Sequence, residues 1–285
     1  MSAEPLSRAQ QEVVARWFPE GFDVVRDLSW GLVDTVVLHV RVRERDLVLK
    51  AAGRANHHIS REISGYQRFT AVLADRDLAP RLVHADGTAN LLVTSFLPGI
   101  LAGESPSARD PDAHRQAGAA LALFHRQAER VSEDFEARQQ ARCRELLAGE
   151  HRITPDGVAW LATWLDAYEP GPTTLVPTHG DYSPRNWLVD HTSRLRVIDL
   201  GRFDWRPPSS DLCRLHDRHW PGHSDLADAF VDGYGADPRT DGVWTSQLVR
   251  EAVGTAIWAY RVGDEPFERE GLRMIADLMV DSTRT

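Results

Sequence analysis

The stretch His179-Gly180-Asp181-Tyr182-Ser183-Pro184-Arg185-Asn186 carries a carboxylate at Asp181 and, five residues later, an amide at Asn186. A second carboxylate, Asp199, follows thirteen residues after Asn186 in the segment Ile198-Asp199-Leu200-Gly201-Arg202. We interpret the first stretch as a loop that opens a β-hairpin, with strands over 186–189 and 195–198. Such a hairpin can bring Asp181, Asn186 and Asp199 together at one end of the two strands.

This set of polar groups suits one kind of chemistry. Mg²⁺ takes oxygen ligands, keeps several waters and needs only one or two protein groups beside phosphate oxygens. Asn186 and Asp199 can supply those two groups. Asp181 is then free to orient or deprotonate an attacking hydroxyl.

The two motifs together resemble those of the protein-kinase-like fold and, within it, the aminoglycoside-phosphotransferase family, antibiotic-phosphotransferase branch. Protein kinases carry an arginine after the histidine and a lysine two residues after the aspartate, where this chain has Gly180 and Ser183. Gly180 and the Asp-x-Gly-Arg form of the second motif look like the small-molecule branch. The resemblance implies an α+β, bilobal protein-kinase-like fold and an enzyme that phosphorylates an alcohol group of a small molecule.

The pattern along the chain predicts a small β-rich N-lobe, residues 1–97, for nucleotide-phosphate binding. Phe96-Leu97-Pro98-Gly99 stops regular structure, and residues 98–285 are predicted to form a larger, mainly helical C-lobe with the catalytic loop and the acceptor site. In the N-lobe we predict strands over 36–42, 47–50, 81–84 and 90–95 and a helix over 57–74. The stripe of Ile59, Ile63, Tyr66 and Leu73 leaves Glu62 off the apolar face of that helix.

Lys50 is the only lysine among 33 basic residues. Lysine is a compact point charge, whereas arginine is a wide planar fork, so a narrow phosphate site is one reason for the exception. The resemblance implies that Lys50 binds the α- and β-phosphates and that Glu62, on the following helix, holds it in place. Glu62 is the only acidic residue between Asp46 and Asp75.

The resemblance also implies a nucleotide site, with ATP as donor and GTP as the alternative. Ser95, Phe96 and Leu97 correspond to the family's hinge, where backbone groups bind adenine and apolar side chains enclose it. Ser29 and Gly31 belong to the turn over 29–34 that would cover the phosphates. That turn has one glycine, fewer than the phosphate cover of protein kinases.

The acceptor is predicted from charge. The chain has a formal net charge of −9, and residues 201–285 contain 11 Asp, 4 Glu and 10 Arg. A cationic small molecule fits this balance, and we expect an aminoglycoside or basic cyclic peptide antibiotic, with resistance as the outcome. A metabolic kinase of the choline, homoserine or sugar type shares every motif and stays open. The acceptor-site candidates are Asp217, Trp220 and Glu251.

Composition argues against several other classes. No basic patch is evident, so nucleic-acid binding is not expected. No apolar stretch is long enough to span a bilayer, no secretory signal is evident, and two cysteines form no disulfide framework or metal-ligand set. A cytoplasmic protein is the expectation. A nucleotide-binding pseudokinase is disfavoured because Lys50, Glu62, Asp181, Asn186 and Asp199 are all present.

Overall fold

The computed structural model describes residues 6–29 and 34–282 of the 285-residue chain. The strands are β1 (Asp23–Asp27), β2 (Val36–Val42), β3 (Arg45–Ala51), β4 (Leu82–Asp86), β5 (Leu91–Ser95), β6 (Ile100–Leu101), β7 (Arg130–Ser132), β8 (Thr173–Thr178), β9 (Trp187–Val189), β10 (Leu195–Val197) and β11 (Asp204–Arg206). The helices are α1 (Arg8–Trp17), α2 (His58–Phe69), α3 (Ala71–Ala74), α4 (Pro111–His125), α5 (Phe135–Leu147), α6 (Pro155–Ala167), α7 (Cys213–Arg218), α8 (Ser224–Tyr234), α9 (Trp244–Val262) and α10 (Glu265–Asp281).

The chain folds into two compact units, each assembled from three segments. The first contains Met1–Gln127, Pro177–Trp205 and Gly222–Ala236. The second contains Ala128–Val176, Arg206–Pro221 and Asp237–Thr285. The predicted division into an N-lobe and a C-lobe at residue 97 stays a prediction. The two units are groups of segments that pack together, so they do not test a single boundary along the chain.

An antiparallel sheet of five strands, ordered β1-β2-β3-β5-β4, dominates the first unit. Side chains alternate between the two faces of a strand. On β3, the buried Leu47, Leu49 and Ala51 join a core that α1 completes with Val13 and Val14. Lys50 therefore projects from the opposite face of the sheet.

The helix predicted over 57–74 is divided into α2 and α3. The Thr70 hydroxyl donates to the carbonyl of Tyr66 at 2.9 Å where α2 ends. The buried face of α2 includes Ile59, Ile63 and Tyr66, as the apolar stripe predicted. It also includes Glu62, whose side chain is 2% exposed, so the prediction that Glu62 lies off this face is wrong. A carboxylate can be buried there because Lys50 of the sheet donates a hydrogen bond to it.

The hairpin predicted from the two motifs is formed by β9 and β10, with β6 on the other side of β9. Asp190 shapes its turn by accepting hydrogen bonds from the amides of Thr192 and Arg194 at 2.8 and 3.1 Å. The side chain of Gln116 on α4 bonds to the backbone of Ser193 and Leu195, both at 2.9 Å. The hairpin is thus fixed to a long helix of the same unit.

Helices α4 and α8 approach each other closely through two glycines. A Cβ on Gly118 would lie 2.1 Å from the carbonyl oxygen of Phe230, and one on Gly233 would lie 1.9 Å from that of Arg115. Only glycine permits this backbone contact. The hairpin is thus attached, through Gln116, to a helix that is closely packed against α8.

The second unit contains helices α5, α6, α7, α9 and α10, together with a short antiparallel ladder between β7 and β8. Thr154 caps α6 by accepting a hydrogen bond from the amide of Gly157 at 3.1 Å, and Pro155 occupies the first turn, where a missing N–H is tolerated. No helix within the described ranges has the length and apolar character that crossing a bilayer requires. The core of this unit contains Leu161, Val249, Val253, Ile257, Met274 and Ile275.

Candidate active site

Three elements of the first unit meet at Lys50. Its ammonium, on β3, donates to Glu62 Oε1 of α2 at 2.8 Å and to Asp199 Oδ1 at 3.2 Å. The lysine side chain is 15% exposed, whereas that of Asp199 is 47% exposed. The ammonium of Lys50 is therefore held by the buried carboxylate of Glu62. It also contacts the carboxylate of Asp199, which solvent and ligands can approach.

Electrostatics keep this cation charged. Burial opposes the charge on Lys50, but the Asp199 and Glu62 carboxylates outweigh it and raise the pKa of the ammonium above its usual range. Burial raises the pKa of Glu62 to about 7, although Lys50 opposes that shift. Burial would likewise raise the pKa of Asp199, but the Lys50 ammonium holds it below its usual range. Asp199 thus remains anionic at neutral pH.

The backbone around Asp199 is unusual. Asp199 has a φ of 67°, in the left-handed region that non-glycine residues rarely adopt. The loop is stabilised from α2, because His58 Nδ1–H donates to the carbonyl of Gly201 at 2.8 Å. The amide of Gly201 in turn donates to Asp199 Oδ1 at 3.3 Å. Such strain is characteristic of functional sites whose surroundings enforce a particular side-chain direction.

The loop that carries Asp181 is braced from within. His179 Nε2–H donates to the carbonyl of Ile198 at 2.9 Å, and its Nδ1 accepts from the amide of Asp181 at 3.3 Å. The hydroxyl of Tyr182 donates to the carbonyl of Ala117 on α4 at 2.7 Å. His179 therefore braces the loop, and the side chain of Asp181 is only 6% exposed.

Asn186 and Asp199 have the oxygen atoms that a magnesium ion would need. The amide nitrogen of Asn186 donates to the carbonyl of Asp181 at 2.8 Å. Within the described residues, its amide oxygen and Asp199 Oδ2 make no hydrogen bond. No cluster of three or more His, Cys, Asp or Glu suited to a metal is found in those residues. An ion here would depend on phosphate oxygens and water for its other ligands, as Mg²⁺ does.

The predicted hinge has one backbone donor that the protein does not use. The amide of Ser95 donates to the carbonyl of Arg81 at 2.9 Å, and that of Phe96 donates to the carbonyl of Asp46 at 3.2 Å. The amide of Leu97 makes no hydrogen bond among the described residues. One face of the Phe96 ring is covered by His39, with ring centroids 3.9 Å apart. Of the three predicted hinge residues, Leu97 is therefore the one whose backbone amide is best placed to donate a hydrogen bond to a nucleobase.

The predicted phosphate cover is described only in part. The Ser29 hydroxyl accepts from the amide of Val37 at 2.9 Å, and its amide donates to Asp27 Oδ1 at 2.8 Å. Ser29 therefore shapes the connection from β1 to β2. Gly31 lies outside the described residues.

The predicted acceptor-site residues Asp217, Trp220 and Glu251 belong to the second unit. Trp220 is 5% exposed and stacks under the guanidinium of Arg239, 5.6 Å from the ring centroid, so it fills the interior of this unit. Glu251 accepts from Arg214 at 2.8 Å. Burial, aided by the charge of Glu251, raises the pKa of Asp217 to about 7. A role for the three in acceptor binding stays a prediction.

One residue at the site was not predicted from the sequence. Arg185 Nη2 donates to Asp181 Oδ2 across a single turn of chain. The quoted stretch contains both residues, but it gives no local signal for the contact, because Ser183 between them is extended and only Pro184–Asn186 form a 3-10 turn.

Comparison with known proteins agrees with this geometry. Residues 24–244 match the family model described as phosphotransferase enzyme family, APH. The aminoglycoside 3'-phosphotransferase of Streptomyces fradiae is 28% identical over 213 residues, which cover 67% of this chain and 79% of that protein.

Solved structures show the same fold. Choline kinase LicA from Streptococcus pneumoniae superposes with a TM-score of 0.66 at 12% identity, covering 95% of this chain and 98% of LicA. Macrolide 2'-phosphotransferase type I gives a TM-score of 0.63 at 19% identity, with 95% and 98% covered. The predicted α+β, protein-kinase-like fold is confirmed. Because the family match spans most of the chain and includes Lys50, Glu62, Asp181, Asn186 and Asp199, the chain belongs to the phosphotransferase enzyme family, whose members are small-molecule kinases.

Proposed function

We propose that the protein transfers the γ-phosphate of ATP to a hydroxyl of a small cationic molecule, an aminoglycoside or basic cyclic peptide antibiotic, and so confers resistance. The observation that carries this proposal is the Lys50 ammonium between Glu62 and Asp199, at 2.8 and 3.2 Å. Such a cation, beside two unused ligand oxygens and a braced carboxylate, is suited to phosphoryl transfer.

At the donor end, Lys50 neutralises charge on the α- and β-phosphates, and its position is fixed by Glu62. The amide of Leu97 donates to the adenine edge. Mg²⁺ held by the side-chain oxygens of Asn186 and Asp199 would neutralise charge on the β- and γ-phosphates. GTP is the alternative donor, because a hinge amide alone does not distinguish the two bases.

At the acceptor end, Asp181 orients the hydroxyl and accepts its proton late in the reaction. The bond between the γ-phosphorus and the β–γ bridging oxygen breaks, and a bond from the acceptor oxygen to that phosphorus forms. ADP leaves with the electron pair of the broken bond. The Asp181 amide donates to His179 and the Asp181 carbonyl accepts from Asn186, and these two backbone hydrogen bonds keep the carboxylate in place.

Charge supports a cationic acceptor. The chain has a net charge of −9, and such a field attracts polycations and raises their rate of encounter. The S. fradiae relative, by its name, modifies an aminoglycoside. A choline-type metabolic kinase is the second candidate, because choline is also cationic and LicA has the same fold.

Mass spectrometry of candidate acceptors tests the proposal. The purified protein is incubated with Mg²⁺ and ATP, or GTP, and with aminoglycosides, basic cyclic peptides, a macrolide, choline, homoserine and a sugar. We expect one added phosphate on an antibiotic and none with Asp181→Asn. Faster phosphorylation of choline, homoserine or the sugar would establish the metabolic alternative. Nucleotide binding without turnover of any acceptor would indicate a pseudokinase.

A further inference from the structure

Arg185 occupies a position that the functions assigned so far do not explain. Its guanidinium donates to Oδ2 of Asp181, and its side chain is 45% exposed while that of Asp181 is 6% exposed. The cation thus lies on the solvent side of the carboxylate. A hydroxyl that reaches Asp181 from solvent comes next to this guanidinium.

We propose that Arg185 is a second catalytic residue, which holds the Asp181 carboxylate before the reaction and contacts the transferring phosphoryl group during it. The inference rests on the proposed function, because it requires Asp181 to receive the acceptor proton. It adds a second cation to the site. Lys50 comes from the sheet and acts on the nucleotide phosphates, whereas Arg185 comes from the loop of Asp181 and would act on the phosphoryl group from the acceptor side.

Local structure directs Arg185 to this place. Ser183 is extended, and Pro184–Asn186 form one 3-10 turn. That turn presents two successive side chains to the same residue: Arg185 bonds the carboxylate of Asp181, and Asn186 bonds its carbonyl. The two contacts hold both the side-chain carboxylate and the backbone carbonyl of Asp181.

The backbone of Arg185 is held from the other side as well. A Cβ on Gly103 would lie 3.3 Å from the amide nitrogen of Arg185 and 3.4 Å from its Cα. The segment Ala102–Glu104, itself a 3-10 turn, therefore packs directly on the chain that carries the arginine. The guanidinium can move between partners while its backbone stays in place.

The chemistry gives the guanidinium two successive partners. Before transfer, Asp181 is anionic and attracts it. As the acceptor proton moves to Asp181, the carboxylate loses its charge and its attraction for the cation. The transferring phosphoryl group carries its charge on three equatorial oxygens, and a guanidinium with five N–H donors can bind two of them in a fork. The cation therefore passes from a partner that is losing charge to one that carries charge.

Substitution of Arg185 tests this role, with Arg115→Ala as the matched control. Arg115 on α4 has a similarly exposed side chain, 47%, and is also ion-paired, with Asp112 and Asp232. We expect Arg185→Ala to lower kcat about 100-fold, the size of effect seen when one donor to a developing charge is removed. Arg185→Lys should lose less, because it keeps the charge but not the fork. Nucleotide affinity, measured by titration with ADP, should change less than about threefold, as expected for a group that acts in the transition state.

Chemical rescue separates a catalytic role from a structural one. Free guanidinium at a non-denaturing concentration should restore part of the kcat of Arg185→Ala and should leave Arg115→Ala unchanged. A kcat near that of the wild type in Arg185→Ala would overturn the inference. So would a loss of kcat that guanidinium does not relieve and that comes with a lower Tm.

Asp181→Asn, measured beside these variants, distinguishes the two proposals. If Asp181→Asn is inactive and Arg185→Ala is active, the proposed function stands and the role of Arg185 fails. If Asp181→Asn turns over as the wild type does, the proposed function fails, and the role of Arg185 fails with it.

Discussion

Single residues of this protein show how a charge is kept inside a fold. Glu62 is buried, and removing only its partner would leave a buried polar group without compensation, which is strongly destabilising. The protein meets this requirement with one lysine, 2.8 Å away. That lysine is also the group through which a nucleotide would be bound, so stability and function share one contact.

Asp217 in the second unit is a partly buried carboxylate for which the described residues provide no such partner. Its Oδ2 atom is buried and makes no hydrogen bond among the described residues. Burial and the nearby Glu251 and Glu270 raise its pKa to about 7, against the opposing charges of Arg273 and Arg218. The folded protein therefore keeps this group protonated over a range in which the unfolded chain does not.

From this shift we predict how stability depends on pH. An aspartate in the unfolded chain has a pKa of about 3.9, so ionised Asp217 weakens the folded state as pH rises from about 4 through 7. Asp217→Asn should raise Tm by a few degrees at pH 8 and by much less at pH 5. Glu150→Gln, which removes an exposed carboxylate, serves as control. An equal gain in Tm at both pH values for Asp217→Asn would contradict the prediction.

At the scale of elements, the close contact of α4 and α8 positions the helix to which the β9–β10 hairpin is attached. Gly233→Ala would place a methyl group 1.9 Å from the carbonyl oxygen of Arg115, so the helices would have to separate. Overpacking of this kind costs about 1–3 kcal/mol, occasionally more. We expect urea denaturation to show at least that loss in the free energy of unfolding.

Gly254→Ala is the matched control for this prediction. Gly254 lies within α9, and a Cβ there meets nothing within 4 Å. Alanine favours helix over glycine by about 1 kcal/mol, so this variant should be more stable than the wild type. If both variants gain stability, the close approach of α4 and α8 is not as described.

The elements also show what the sequence could and could not predict. The β9–β10 hairpin was predicted because aliphatic runs flank a polar turn, and such a pattern is local. The burial of Glu62 was not, because apolar periodicity assigns a charged residue to solvent, and the lysine that meets it comes from another element. Arg185 was missed for a similar reason: its importance depends on the direction of a side chain, which a 3-10 turn sets.

At the scale of the whole molecule, each compact unit is assembled from three separate segments. No linear boundary in the sequence could indicate this, since the pairing of segments depends on long-range contacts. The first unit contains all the residues proposed for nucleotide binding and proton transfer: Lys50, Glu62, Asp181, Asn186 and Asp199. Nucleotide binding should therefore stabilise that unit directly.

Ligand-dependent melting tests this expectation. A ligand that binds only the folded state adds about 2.7 kcal/mol of stability at 100 times its Kd, so Mg²⁺ with ATP should raise the Tm of the wild type by several degrees. Asp181→Asn should keep this gain, because Asp181 acts on the acceptor. Lys50→Ala should lose most of it, and Lys50→Arg should lose it too, because a planar fork does not fit between Glu62 and Asp199 at 2.8 and 3.2 Å. A full gain in Tm in Lys50→Ala would mean that the phosphates bind elsewhere.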